Sequence, residues 1–392
     1  MLRPEQKDPL VHRGLPKAPL IFSKRSAYGI QRISIFDGGI AKKIINREGE
    51  MGRRMIVDVQ NHVIPLSAMG PIAESGILDF SLSSPVIRWR GFSFRSEADY
   101  LDVPLHMQVC RDAGLTHVML NQAMVLTMLN EIVAMPTIEV AKIHNDCMAQ
   151  IRDQYPDMVF PYGTVKPHDG RMAVLEAERC INNLGFRALS IDTSYGTTDR
   201  VFNHTPETFE FWEYVNAKQI PVFIHPPFLG YGWEWMDRYK FEETVSRPAD
   251  TALCVSLMIM SGLFDRFPHL KIILAHMGGA FTMCLPRLQF GHRLGYDGFL
   301  AYQKPKNMKI PMEYAKENIW VDTMGFDPAG IKHAIAVFGL EHVLLGTDYG
   351  PVPISPKEHI DIICNDLGLT EEDQDKILGL NAKNLFGLND PE

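Results

Sequence analysis

The sequence has little that a nucleic-acid binder, a disulfide scaffold or a membrane protein would need. Its 39 lysines and arginines are outnumbered by 47 aspartates and glutamates, for a net charge of -8 and a pI near 6.0. No basic run overrides that balance, so polyanionic partners are not expected and no nucleic acid is. The six cysteines (Cys110, Cys147, Cys180, Cys254, Cys284, Cys364) form no CxxC pair and no disulfide-framework spacing. They read as reduced core residues of a cytoplasmic protein. The longest apolar run, residues 251–264, is too short to span a bilayer and is bounded by Asp250, Asp265 and Arg266. A buried helix is expected there, and no membrane. A charged-then-apolar leader is missing from the N-terminus, and low-complexity tracts and solenoid repeats are missing throughout. What remains is an ordinary soluble composition, 46% hydrophobic and 22% charged over 392 residues, enough for a large core.

Residues 1–50 carry Pro4, Pro9, Pro16 and Pro19 among basic residues and show neither helical nor strand periodicity, so they read as an N-terminal arm or extension. From residue 51 to 392 short β-rich apolar runs alternate with longer helical patterns. Strands are expected within 55–63, 115–122, 158–165, 186–193, 221–226, 271–278, 318–323 and 342–350. Helices are expected over 97–113, 127–154, 170–184, 206–218, 250–265, 279–291, 327–338 and 357–380, the last broken near Gly368. Eight alternating units suit an α/β fold closed as a (β/α)8 TIM-like barrel better than an open sheet.

In such a barrel all eight strand ends point to one mouth, where reactive groups gather. The polar residues of this sequence fall there. Strand one ends in Gln60 and His62, strand four in Asp192, strand five in His225, strand six in His276, strand seven in Asp322 and strand eight in Asp348. Alternation in strand one sets an inner row of Asp58, Gln60 and His62, so that two ligands from one strand can reach one ion. A lone strand-end histidine is more often a hydrogen-bonded structural residue than a ligand, and an aspartate before Tyr-Gly is often a turn former. Here four such residues coincide at the ends of strands one, five, six and eight. Imidazole nitrogens with one carboxylate make a site suited to a divalent metal, zinc first and manganese or iron after it.

The segments DVQNHVIP (58–65), VFIHPP (222–227), FPHLKIILAHMGG (267–279) and HVLLGTDYG (342–350) resemble the amidohydrolase-related branch of the amidohydrolase superfamily. The likeness is to enzymes similar to aminocarboxymuconate semialdehyde decarboxylase and the hydroxybenzoate decarboxylases. It runs over residues 55–388 and includes ILGLNAKNLFGL (377–388), which resembles a shared closing helix. The resemblance implies a metal held by Gln60, His62, His225 and Asp348, with His276 as acid or base, or as ligand of a second ion. Gln60 departs from the usual HxH, and some decarboxylases of the branch carry Glu there. An amide oxygen is a neutral, weak donor, so Gln60 is expected to ligate weakly or to hydrogen-bond a metal-bound water. The bridging lysine of two-metal hydrolases has no counterpart in strand four, and Lys166 at the end of strand three reads as a solvated rim residue.

Two long insertions at the mouth, around 86–95 and 227–243, have the length of lids or of subunit contacts. Arg88 and Trp233, with Arg90 and Trp235, are the residues expected to cover an aromatic or carboxylated substrate. The expected function is a metal-dependent lyase or hydrolase acting on a small, carboxylated organic molecule by decarboxylation or hydrolysis. Two other readings stand beside it. One is a dinuclear-metal oxygenase component, with Asp322, Asp192 or Glu74 holding a second ion. The other is a degenerate barrel supporting a catalytic homologous partner. A homo-oligomer, or a hetero-oligomer with a homologous barrel, is expected.

Overall fold

Eight apolar runs rich in valine, isoleucine and leucine become eight parallel strands in a computed structural model. It describes residues 54–64, 100–121, 135–196, 199–236, 238–294, 304–325, 327–352 and 354–391, together with the backbone of three strands within 78–95. The strands are β1 (Val57–Asn61), β2 (His117–Leu120), β3 (Tyr162–Thr164), β4 (Ala188–Asp192), β5 (Pro221–His225), β6 (Lys271–Leu274), β7 (Ile319–Asp322) and β8 (Val343–Leu344). β3 to β8 pair in sequence order as one parallel sheet, and β1 pairs with β2. Two further sets of backbone bonds close the ring. Val118 N donates to Met158 O at 2.8 Å and Phe160 N to Val118 O at 2.9 Å, joining β2 to the chain entering β3. Val59 N donates to Leu345 O at 2.9 Å and His62 N to Tyr349 O at 2.8 Å, joining β8 to β1. The closed barrel expected from the eight-fold alternation is therefore present.

Residues 1–50, assigned above to an arm, lie outside the described residues. Residues Gly52–Glu392 form one compact unit. The insertion after β1 contains a three-stranded antiparallel sheet, Leu78–Asp79, Val86–Trp89 and Phe92–Arg95.

Helices α1 (Val103–Asp112), α2 (Thr137–Gln154), α3 (Arg171–Glu178), α4 (Phe209–Lys218), α5 (Arg247–Met260), α6 (Phe281–Leu294) and α7 (Pro328–Phe338) follow the strands. Local chemistry moves several ends away from the sequence expectation. Asp102 caps α1 by accepting from Leu105 N at 3.0 Å, so the helix begins six residues later than 97. Pro248 sits in the first turn of α5, which starts at Arg247 rather than 250, and Gly262 at φ 77° ends it. The apolar run 251–264 is buried as expected, with Cys254, Val255 and Met258 fully covered, but it is split between α5, which ends at Met260, and a short helix Leu263–Arg266 beyond Gly262. No helix among the described residues is long and apolar enough to cross a membrane.

Two apolar layers hold the barrel. The outer one packs Val118, Leu120, Ile191, Ile224, Leu274 and Val321 against the helices. The inner one fills the lumen with Val57, Val59, Tyr162, Phe223 and Ile273, closed by Ala382, Phe386 and Leu388 from the C-terminal helix Asn381–Phe386 and the residues after it. Strand β1 corrects the inner row read from its alternation. Its pairing register shifts between Asp58 and Asn61, and Val59 and Gln60 both turn inward. Such a bulge inserts one residue and re-aims the side chains beyond it. Asp58 thus leaves the inner row. Its carboxylate accepts from Asn61 Nδ2 at 2.8 Å and from Thr347 Oγ1 at 2.6 Å, tying β1 to the chain beyond β8.

A candidate metal centre at the barrel mouth

The bulge places Gln60 and His62 at the mouth beside the ends of β5, β6 and β8. His62 is 1% exposed and His225 is 1% exposed, so each ring must be satisfied within the protein. His62 Nδ1 lies 2.7 Å from Asn121 O, and His225 Nδ1 lies 2.8 Å from Pro226 O. A carbonyl oxygen can only accept, so both Nδ1 atoms carry the proton and both Nε2 atoms present lone pairs. Burial, reinforced by the neighbouring His276 and His62, pushes the His225 imidazole well below its usual range. It is therefore neutral, as a ligand must be.

The lone pairs converge. Nitrogen and oxygen atoms of His62, His225 and Asp348 all lie within 4.8 Å of one another. His62 Nε2 approaches Asp348 Oδ1 to 2.8 Å. Four buried atoms here have no hydrogen-bond partner: Gln60 Oε1, His62 Nε2, His225 Nε2 and Asp348 Oδ1. Unpartnered buried polar atoms are costly, each worth about 1–3 kcal/mol, and the three that converge, from His62, His225 and Asp348, need a common partner. A divalent cation would satisfy these three, and the Nδ1-to-carbonyl bonds are the outer contacts that fix ligating histidines. The residues present therefore fit a metal ion. Burial alone would raise the Asp348 carboxyl, but the hydrogen bond from the facing His276 ring leads the effects that outweigh it and hold the group well below its ordinary value. It is ionised at neutral pH.

His276 completes the group from the end of β6. Its Nε2 lies 3.4 Å from Asp348 Oδ2 and 2.9 Å from Gln60 Nε2. That contact uses the Gln60 amide nitrogen and leaves its Oε1 buried without a partner. The His276 side chain is 14% exposed, against 2% for His62 and 6% for Asp348. Both His276 (φ 58°) and Asp348 (φ 55°) occupy the left-handed region, which costs an L-residue about 1–2 kcal/mol. Such backbone persists where the surroundings over-determine it, and it clusters at working sites.

The other residues picked out in the sequence fall differently. Trp233 lies half-buried in the short turn Trp233–Trp235 on the β5 loop. Arg88 belongs to the strand Val86–Trp89, and its side chain lies outside the described residues, as does Glu74. Asp322 is fully buried, with its oxygens engaged by backbone amides at 2.9–3.1 Å, not turned to a second ion. Among the described residues one group of potential ligands forms, and Asp192 is not in it. Arg247, at the start of α5, was not singled out in the sequence. Its Nε donates to Phe228 O at 3.3 Å and its guanidinium lies 5.3 Å from the Phe228 ring centre. Its charge bears on both His225 and Tyr100, and among the described residues no carboxylate pairs with it. A lone arginine before a proline looks in sequence like a solvated helix start; only the fold brings it to the mouth.

Comparison with known proteins places this geometry among relatives. The sequence model of the family described as Amidohydrolase matches residues 112–388. A 2-amino-3-carboxymuconate-6-semialdehyde decarboxylase of Dictyostelium discoideum is 29% identical over 252 residues, covering 64% of this chain and 67% of that protein. A gamma-resorcylate decarboxylase of a Polaromonas species is 28% identical over 265 residues, covering 64% of this chain and 77% of that protein. Among solved structures, a dihydroxybenzoic acid decarboxylase from Polaromonas with bound manganese and the inhibitor 2-nitroresorcinol aligns with a TM-score of 0.69. It is 23% identical and covers 86% of this chain and 98% of that one. A 5-carboxyvanillate decarboxylase from Sphingomonas paucimobilis aligns with a TM-score of 0.68 at 24% identity, covering 86% of this chain and 100% of that one.

Proposed function

The chain belongs to the amidohydrolase family, matched over residues 112–388, and on that premise we propose that it is a divalent-metal-dependent decarboxylase of a small, carboxylated aromatic or enoic acid. The observation that carries the reading is the convergence of three unpartnered buried ligand atoms, from His62 just after β1, His225 at the end of β5 and Asp348 in the turn after β8. The strand-one pair precedes residue 112, so it supports the reading independently of the family match. His62, His225 and Asp348 would hold the ion, with the Gln60 amide oxygen as a weaker fourth ligand. Zinc, manganese and iron all suit two imidazoles and a carboxylate; the manganese in the Polaromonas enzyme supports manganese rather than the zinc put first from the sequence. When bound, the ion supplies a Lewis acid that orients and polarises the substrate's carboxylate or an adjacent hydroxyl.

The chain's own residues do the rest. Arg247 offers a cation without a carboxylate partner among the described residues, facing the mouth from α5, and is suited to an anionic group of the substrate. Phe228, held against it, gives an apolar wall. His276 Nε2 is the accessible proton carrier next to Asp348. As the carbon–carbon bond to the carboxylate breaks, its electron pair stays on the substrate carbon. That carbon takes a proton from the His276 imidazolium, and carbon dioxide leaves. A single group of three potential ligands among the described residues favours this over oxygen chemistry at two ions.

The test is a panel of carboxylated phenols and carboxymuconate-type acids given to chelator-stripped protein and to the same protein reloaded with manganese or zinc. Carbon dioxide is expected only from the reloaded protein, and Arg247→Ala should raise KM about tenfold or more, the loss of one charged contact. Carbon dioxide release that persists after stripping, or none from any acid under either metal, contradicts the reading.

A further inference from the structure

The turn that carries His276 has positive φ at four successive residues: His276 (φ 58°), Met277 (φ 53°), Gly278 (φ 78°) and Gly279 (φ 56°). Glycine adopts positive φ freely, but the first two residues have a Cβ and resist it. Something must hold them there. Successive backbone N–H groups in such a turn form a concavity that receives an anion, and here the anion comes from β7. Asp322 Oδ2 accepts from His276 N at 3.0 Å, and Oδ1 accepts from Met277 N at 2.9 Å and Met324 N at 3.1 Å. The carboxylate is fully buried, and these amides are what satisfy it. Burial pushes its carboxyl up to about 7.

Neighbouring glycines clear the space that this contact needs. A Cβ on Gly346 would stand 2.6 Å from Asp322 Cβ and 3.1 Å from Gln60 Cβ. A Cβ on Gly325 would overlap the Met277 side chain, which packs over it. The turn is thus gripped from the strand side by a carboxylate and from the loop side by a packed methionine.

We propose that Asp322 is a positioning residue: by accepting the amide N–H groups of His276 and Met277 it holds the positive-φ turn that presents the His276 ring to His62, His225 and Asp348. It touches neither metal nor substrate. The proposal rests on the reading of His276 as the proton carrier, and it gives Asp322 a role other than ligation of a second ion.

The experiment compares metal-loaded full-length protein with Asp322→Ala and Asp322→Asn by deuterium exchange and by steady-state kinetics. Faster exchange is expected over 275–280, while segments carrying His62, His225 and Asp348 keep their protection and metal content stays at the unmodified level. Displacing a reacting group by an ångström costs up to about a hundredfold, so kcat per metal-bound chain should fall by about ten to a hundredfold with KM within about threefold. Asp322→Asn, which keeps one acceptor oxygen, should fall between the alanine variant and the unmodified protein. The proposal is overturned if kcat per metal-bound chain is unchanged while only the melting temperature drops, or if protection is lost equally at the ligand segments. Should the alanine variant fail to fold, the asparagine variant carries the same readings. If the unmodified protein releases no carbon dioxide, the decarboxylase reading fails on its own, and the exchange pattern alone decides the role of Asp322.

Discussion

Gln60 meets two demands with one amide. Its Nε2 reaches His276 at 2.9 Å, and its Oε1 is left buried without a partner. Replacing it by histidine trades a weak neutral donor for an imidazole, so Gln60→His should bind zinc more tightly in chelator competition, while losing the bond that steadies His276. Unchanged affinity would place Gln60 outside the ligand set. A second residue tests the electrostatics away from the mouth. His144 on α2 is buried, and burial lowers its imidazole to about 4 from 6.5. A lowered folded value means that the unfolded chain binds more protons between these limits, so the stability is present above pH 6.5 and is lost as pH falls toward 4. Thermal melts should therefore show a shallower acid loss for His144→Gln than for the unmodified protein across about pH 6.5 to 4.5; parallel curves would contradict the assignment. At this scale His62, His225, His276 and Asp348 were legible because each ends an apolar strand. Arg247 and the work of Asp322 were not, because a helix-start arginine and a strand-end aspartate acquire meaning only from groups they meet across the fold.

The first strand is the element on which the site turns. Alternation pointed Asp58, Gln60 and His62 to one face, and the bulge keeps the last two while turning Asp58 to the Thr347 and Asn61 latch. A one-residue slip of this kind leaves no mark on hydrophobic periodicity, which is why Gln60 and His62 could be placed at the strand end from the sequence and the latch could not. The closing seam between β8 and β1 depends on Gly350, at φ 122°, where a Cβ would collide with the His62 carbonyl oxygen. Gly350→Ala should cost about 3 kcal/mol through backbone strain and overpacking, read as a lower urea midpoint with the slope preserved. A midpoint within error of the original would mean that the seam relaxes freely. Helix ends show the same division between pattern and chemistry. The core of α5 was visible as an apolar run, but its limits were set by Pro248 and Gly262.

For the molecule as a whole, eight alternating units were enough to read a closed barrel, and the seam bonds at Val59 and Val118 close it. What binds at its mouth follows from where the strand ends meet. An ion that binds only the folded chain adds about 2.7 kcal/mol at a hundred times its Kd. Removing it with a chelator should therefore lower the melting temperature, and manganese or zinc should restore it; a melting temperature indifferent to both would speak against a metal that bridges β1, β5 and β8. The central claim is that one ion sits on His62, His225 and Asp348, and it is tested most directly by metal analysis of the purified full-length chain beside Asp348→Ala. One equivalent per chain is expected, lost in the variant. Two equivalents, or one that survives the loss of Asp348, would contradict the claim.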